Sequence, residues 1–175
     1  RPDLAPPIAS RYHRAMELTP EDRRHLDRAV ALSREHMLKG EGGPFGAVVA
    51  RGPEVLAEGW NLVTSTNDPT AHAEVVAIRR ACERVGDFAL HGATLYASCE
   101  PCPMCLASAY WARVSRIVFA NTREEAASIG FDDALIYDEI PKPVSERSIP
   151  TLHAPTAEAG EVFALWLAKA DKIAY

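Results

Sequence analysis

The sequence predicts an α/β domain built on one mixed sheet with helices on both of its faces. Three observations carry this expectation. Two short apolar runs flank the turn Arg51-Gly52-Pro53-Glu54, which reads as an antiparallel hairpin. Beyond the hairpin, strand-like runs alternate with segments of helical period, the pattern that gives crossovers and two-sided coverage of a sheet. The chain has 175 residues, 47% of them hydrophobic and 25% charged, which suffices for one globular domain with a real core. No internal repeat or domain boundary is visible.

In chain order, residues 1–20 are rich in proline and arginine without a period. They read as a flexible arm, or as an arm laid across a neighbouring subunit. Thr19-Pro20-Glu21-Asp22 is a helix start, with a capping threonine, proline at the first position and acids in the first turn. Leu26, Ala29, Val30, Ser33 and Met37 then make one face. His25 and His36 on this helix have no paired ligand nearby and are expected at the surface or an interface rather than on a metal. Gly40-Glu41-Gly42-Gly43-Pro44 ends the helix. It lacks the Gly-Lys-Ser/Thr ending of a phosphate loop, so its glycines serve a tight turn or a close backbone approach. Phe45–Ala50 and Val55–Trp60 are the hairpin strands. Asn61 follows, either as a turn residue or as an amide lining a cleft.

A capping Thr70 precedes a helix from Ala71 to about Val85, which packs through Val75, Ile78, Ala81 and Cys82 and stops at Gly86. Ala93–Ser98 is a third strand. Cys99-Glu100-Pro101 turns into a helix from Cys102 to about Arg113, on which Trp111 is expected to pack. Arg116–Ala120 is a fourth strand, and Arg123–Ser128 a short helix ended by Gly130. Residues 131–150 carry prolines at 141, 143 and 150 and read as irregular. Ala157–Ala170 is a final helix with Val162, Phe163, Leu165, Trp166 and Leu167 as its apolar residues. The expected organisation is an arm over 1–20, a catalytic domain over 21–156 and a separate C-terminal helix over 157–175.

Lys plus Arg number 19 against 24 Asp plus Glu, a net charge of -5. That balance opposes a general nucleic-acid binder, although a local basic cleft would be compatible with it. No apolar run has the length of a membrane helix, and the opening residues lack the apolar core of a secretory signal. Of 4 cysteines, Cys99, Cys102 and Cys105 crowd together, which suits a reducing compartment and a metal better than a disulfide framework. A cytoplasmic enzyme is expected.

The chemistry concentrates in His72-Ala73-Glu74 and Glu100-Pro101-Cys102-Pro103-Met104-Cys105. Cys102 and Cys105 stand one helical turn apart, at a helix start where the dipole favours thiolates. A lone Cys-x-x-Cys could equally be redox-active. The upstream His-x-Glu, at the start of another helix, tips the reading to zinc held by His72, Cys102 and Cys105. Three protein ligands with an open position describe a catalytic site, whereas a structural site takes four. Glu74 is then placed to move protons beside the metal. Cys99 is a competing fourth ligand, disfavoured because Pro101 turns the chain between it and Cys102.

The chain further resembles the bacterial guanine deaminases of the cytidine-deaminase-like zinc superfamily. The similarity runs from about Gly42 to Tyr175 through Gly-Gly-Pro-Phe-Gly-Ala-Val, Thr-Asn-Asp-Pro-Thr-Ala-His-Ala-Glu, Ser-Cys-Glu-Pro-Cys-Pro-Met-Cys and Tyr-Trp-Ala-Arg. The zinc motif marks only the superfamily. Gly130-Phe131-Asp132-Asp133, Ile136-Tyr137, Glu139-Ile140, Lys142-Pro143, Glu146-Arg147 and the final Tyr175 resemble the guanine branch.

The resemblance implies a three-layer α/β/α fold and zinc-dependent hydrolysis of guanine to xanthine and ammonia, with one zinc per chain. It assigns Glu74 and Asp133 to catalysis. It assigns Asn61, Phe45, Asp133 and Tyr175 to the purine base. It also implies a homodimer with exchanged C-terminal segments, while the charge balance and the lack of a membrane-length apolar run give the expectation of no nucleic-acid or membrane partner. Phe45 could instead be plain core, Asp133 could cap the turn after Gly130, and the last helix could fold back on its own domain. A tRNA adenosine deaminase, a cytosine or cytidine deaminase and a non-enzymatic zinc module are the rival functions.

Overall fold

The computed structural model describes residues 18–174. The expected N-terminal arm falls almost wholly outside these residues, and so does Tyr175. Helix α1 (Pro20–Leu38) starts at a capping box. Thr19 Oγ1 accepts from Asp22 N at 3.0 Å, and Asp22 Oδ2 accepts from Thr19 N at 2.8 Å. The buried stripe matches the expected face in part, since Leu26, Ala29 and Ser33 are buried as expected. It runs through Asp22, His25, Leu26, Ala29, Leu32, Ser33 and His36, while Val30 and Met37 are 42% and 39% exposed.

Polar residues can take that stripe because each has a partner. Asp22 Oδ1 accepts from Tyr96 Oη and from Arg116 Nη1, both at 2.7 Å. His25 Nε2 lies 3.0 Å from Gly52 O. His36 Nδ1 lies 2.8 Å from Glu41 Oε2, with its ring stacked 3.6 Å from that of Trp60. The two histidines, expected at the surface or an interface, are therefore buried within the domain.

The hairpin is β1 (Gly46–Arg51) and β2 (Glu54–Trp60), antiparallel with an irregularity between Val49 and Ala50. Strand β3 (Thr94–Cys99) pairs antiparallel with β1, and β4 (Arg116–Asn121) runs parallel to β3. The strand order is β2-β1-β3-β4. After a short unexpected helix α2 (Val63–Thr66), helix α3 (Ala73–Val85) carries the chain toward β3, and α4 (Pro103–Trp111) makes the crossover between the parallel strands.

Alternation along β1 divides the core. Val48 and Ala50 join Leu26, Ala29 and Leu32 of α1 on one face. Ala47 and Val49 join Ala73, Ala77, Ile78 and Ala81 of α3 on the other. Burying each valine or leucine contributes about 1.5–3 kcal/mol. Two glycines let the helices sit close to the sheet: a Cβ at Gly46 would lie 2.3 Å from Ala29 O, and one at Gly59 would lie 2.3 Å from Ala73 O. Arg80 and Arg84 of α3 donate to Glu58 O and Val55 O, covering edge strand β2.

Beyond β4 come α5 (Arg123–Ser128), α6 (Ala134–Glu139), a 3₁₀ turn at Val144–Glu146 and α7 (Ala157–Ala168). Helix α6 stands in the stretch expected to be irregular. No residue of α7 is buried, and Phe163 is 77% exposed. Trp111, expected to pack, is 60% exposed. No helix of the described residues is long and apolar enough to cross a membrane.

Candidate active site

His72 is the N-cap residue of α3 and Cys102 that of α4. Both have extended backbone, and neither side chain caps its own helix, which leaves both side chains available to turn toward a common point. Cys105 lies one turn into α4. His72 Nδ1 is 3.6 Å from Cys102 Sγ and 3.5 Å from Cys105 Sγ, and the three ligand atoms all lie within 4.8 Å of one another. Tetrahedral bonds of about 2.1 and 2.3 Å put nitrogen and sulfur ligands about 3.6 Å apart, so the trio has the size of a zinc site. Cys99 does not join it. Its thiol donates to Thr122 O at 3.5 Å.

The electrostatics suit a cation. Donation from the Cys105 thiol outweighs burial and, with His72, holds Cys102 down to about 4, which favours its thiolate form. The same contact with Cys102, together with burial, pushes Cys105 up. Glu74, in the first turn of α3, is only 7% exposed. Burial pushes its carboxyl up to about 7.

His72, Glu74 and Cys102 line a cavity of about 740 Å³, within the range of small-molecule sites. Phe45 and Phe131 form one wall, edge to face at 4.8 Å and 89°. Asn61 is buried, and its Oδ1 accepts from Gly43 N at 3.3 Å and Val63 N at 3.2 Å. Two backbone donors orient that amide and leave Nδ2 as the group on offer. The glycine loop is therefore a close passage of backbone against Asn61: a Cβ at Gly42 would lie 2.1 Å from Asn61 O.

Asp133 lines the cavity and stands at the start of α6 without capping it. Asp132 is the residue that accepts from Ala134 N, at 2.9 Å. Burial and the Cys102 charge push the Asp133 carboxyl up. Phe131, Glu100 and Arg123 also line the cavity. None of the three was assigned to the site from sequence, since no spacing sets them apart from turn and helix-start residues. His91 and His153 are exposed and away from it.

Residues 19–121 match the cytidine and deoxycytidylate deaminase zinc-binding region. The chain belongs to that zinc deaminase family. A guanine deaminase of Bacillus subtilis is 49% identical to it over 150 residues, covering 86% of this chain and 96% of that protein. The X-ray structure of a guanine deaminase from Bacillus subtilis superposes with a TM-score of 0.85 at 48% identity, covering 87% of this chain and 98% of that one. A tRNA-specific adenosine deaminase of Haemophilus influenzae is 38% identical over 96 residues, 51% of this chain and 56% of that protein. The deaminase fold is thus the cytidine-deaminase-like α/β/α arrangement, and the His72, Cys102 and Cys105 cluster lies within the residues matched by the family's zinc-binding region.

Proposed function

We propose that this deaminase hydrolyses guanine to xanthine and ammonia, with one zinc per chain held by His72, Cys102 and Cys105. One observation carries the reading: an aromatic slot, a fixed amide and two carboxyls converge beside the three-ligand cluster. When bound, the metal supplies Lewis acidity.

The chain's own groups do the rest. Phe45 and Phe131 hold the flat base and exclude water. Asn61 Nδ2 donates to a ring acceptor, and Asp133 accepts from the base. Glu74 takes a proton from the attacking water and passes it to the departing amine. Water adds at the amino-bearing carbon, the C–N bond breaks, ammonia leaves and a carbonyl remains.

Likeness to guanine deaminase over nearly the whole chain, against about half for the tRNA deaminase, supports the substrate. The net charge of -5 also weighs against an RNA surface.

The enzyme is a homodimer that exchanges residues 157–175, so that Tyr175 helps to cover the partner's cavity. The unburied apolar residues of α7 support this, since an apolar helix must dock somewhere. It works in cytoplasmic purine metabolism. Ammonia release from guanine, adenine, cytosine, cytidine and tRNA adenosine tests the substrate. Guanine should be fastest, and faster release from adenine, tRNA or cytosine would overturn the reading.

A further inference from the structure

The segment after α5 meets the rest of the domain at few points. It begins at Gly130, whose φ of +95° few side-chain-bearing residues adopt. None of α6 is buried. Glu139 binds inward within the segment, accepting from Lys142 Nζ and Ser148 N, both at 2.6 Å. Two ring contacts join it to cavity-lining residues of the rest of the domain. Phe131 meets Phe45, but it precedes α6. The Arg123 guanidinium lies 4.3 Å over the Tyr137 ring, within α6. Tyr137 N donates to Asp133 O at 3.3 Å, so that ring and Asp133 share one helical turn.

Arg123 is itself anchored. Its backbone N–H donates to Glu100 Oε2 at 3.2 Å, and its Nε donates to Glu124 Oε1 at 3.3 Å. Glu100 stands two residues before Cys102, so the contacts form a continuous path from the metal-binding turn to α6. A planar guanidinium suits a ring face in a way that a lysine ammonium does not.

We propose that Arg123 is a positioning residue which, through the Tyr137 ring, holds α6 so that Asp133 faces the cavity. The role rests on the reading of Asp133 as a contact to the base. Zinc-loaded full-length Arg123→Gln and Tyr137→Leu should each raise KM for guanine about 5-fold, more than they lower kcat. Zinc content and Tm should stay as in the wild type. The double variant should be no worse than the worse single, and Tyr137→Phe, which keeps the ring face but not the hydroxyl that also pairs with Arg123, should stay closer to the wild-type KM than Tyr137→Leu does.

A KM effect from Arg123→Gln without one from Tyr137→Leu would mean direct contact with substrate and overturn the proposal. Additive effects, or loss of zinc and Tm alongside kcat, would overturn it too. Hydrogen exchange gives a readout without substrate: α6 amides should exchange faster in Arg123→Gln while those of α3 and α4 do not change, and unchanged α6 exchange would sink the idea. A wrong guanine assignment would instead show as wild-type protein inactive on guanine, with the exchange result intact.

Discussion

Glu74 shows how much one placement can carry. It sits two residues beyond His72, in the first turn of α3, buried on the wall of the cavity. Gln has the same shape without the basicity, so Glu74→Gln should abolish ammonia release while zinc content, read by atomic absorption, stays at the wild-type level. Lost zinc or retained turnover would contradict the proton-transfer role. Asn61 and Asp133, the proposed contacts to the base, line the same cavity. Removing one polar partner in a desolvated site costs roughly 1–3 kcal/mol, so Asn61→Ala and Asp133→Ala should each lower kcat/KM for guanine about 5- to 150-fold. A loss common to every base tested would point to damage rather than to recognition.

At the scale of elements, the site depends on how closely α1 and α3 press on the sheet. Gly59 faces Ala73 O and Ala77 N, one residue from His72. A methyl group there forces the start of α3 outward. Gly59→Ala should lower stability by about 1–3 kcal/mol in denaturant unfolding and weaken zinc retention against a chelator. Unfolding without loss of zinc affinity would show that the ligand turn tolerates the shift.

On the opposite face, α1 is tied down by Asp22. Burial raises its carboxyl, but the Thr19 N–H, the Tyr96 and Thr19 hydroxyls and Arg116 together outweigh that and hold it well below the usual range. A folded pKa below the unfolded value near 3.9 contributes stability above about pH 4 and loses it as the pH falls further. The Tm advantage of the wild type over Asp22→Asn should therefore be widest near neutrality and shrink below about pH 4. A constant gap across that range would remove Asp22 from the acid response.

For the whole molecule, α7 is the element left over. Val162, Phe163, Leu165, Trp166 and Leu167 are between 44% and 77% exposed, and a helix of that character is stable only against something apolar. Deleting residues 157–175 should convert a dimer to a monomer in sedimentation and lower kcat/KM more than it lowers zinc binding. A truncated chain that remains dimeric with full activity would remove the exchanged segment from the proposal.

The candidate metal cluster was legible in the linear chain because residues able to hold zinc are few, chemically distinctive and placed by local structure. His72, Cys102 and Cys105 needed only two helix starts, one announced by Pro103 and the other by the helical run that stops at Gly86, although His72 rather than the expected Thr70 takes the N-cap position. The four strands were legible for a similar reason, since their runs alternate with turns of known chemistry. Other features required the folded chain. Which stripe of α1 turned inward depended on partners as distant as Tyr96 and Arg116, so helical period alone chose Val30 and Met37 wrongly. The company of Phe131 with Phe45, and of Arg123 with Tyr137, is likewise a product of packing. Spacing along a chain reports what one element presents; only tertiary contacts decide which face is buried and which side chains from separate elements meet around a cavity.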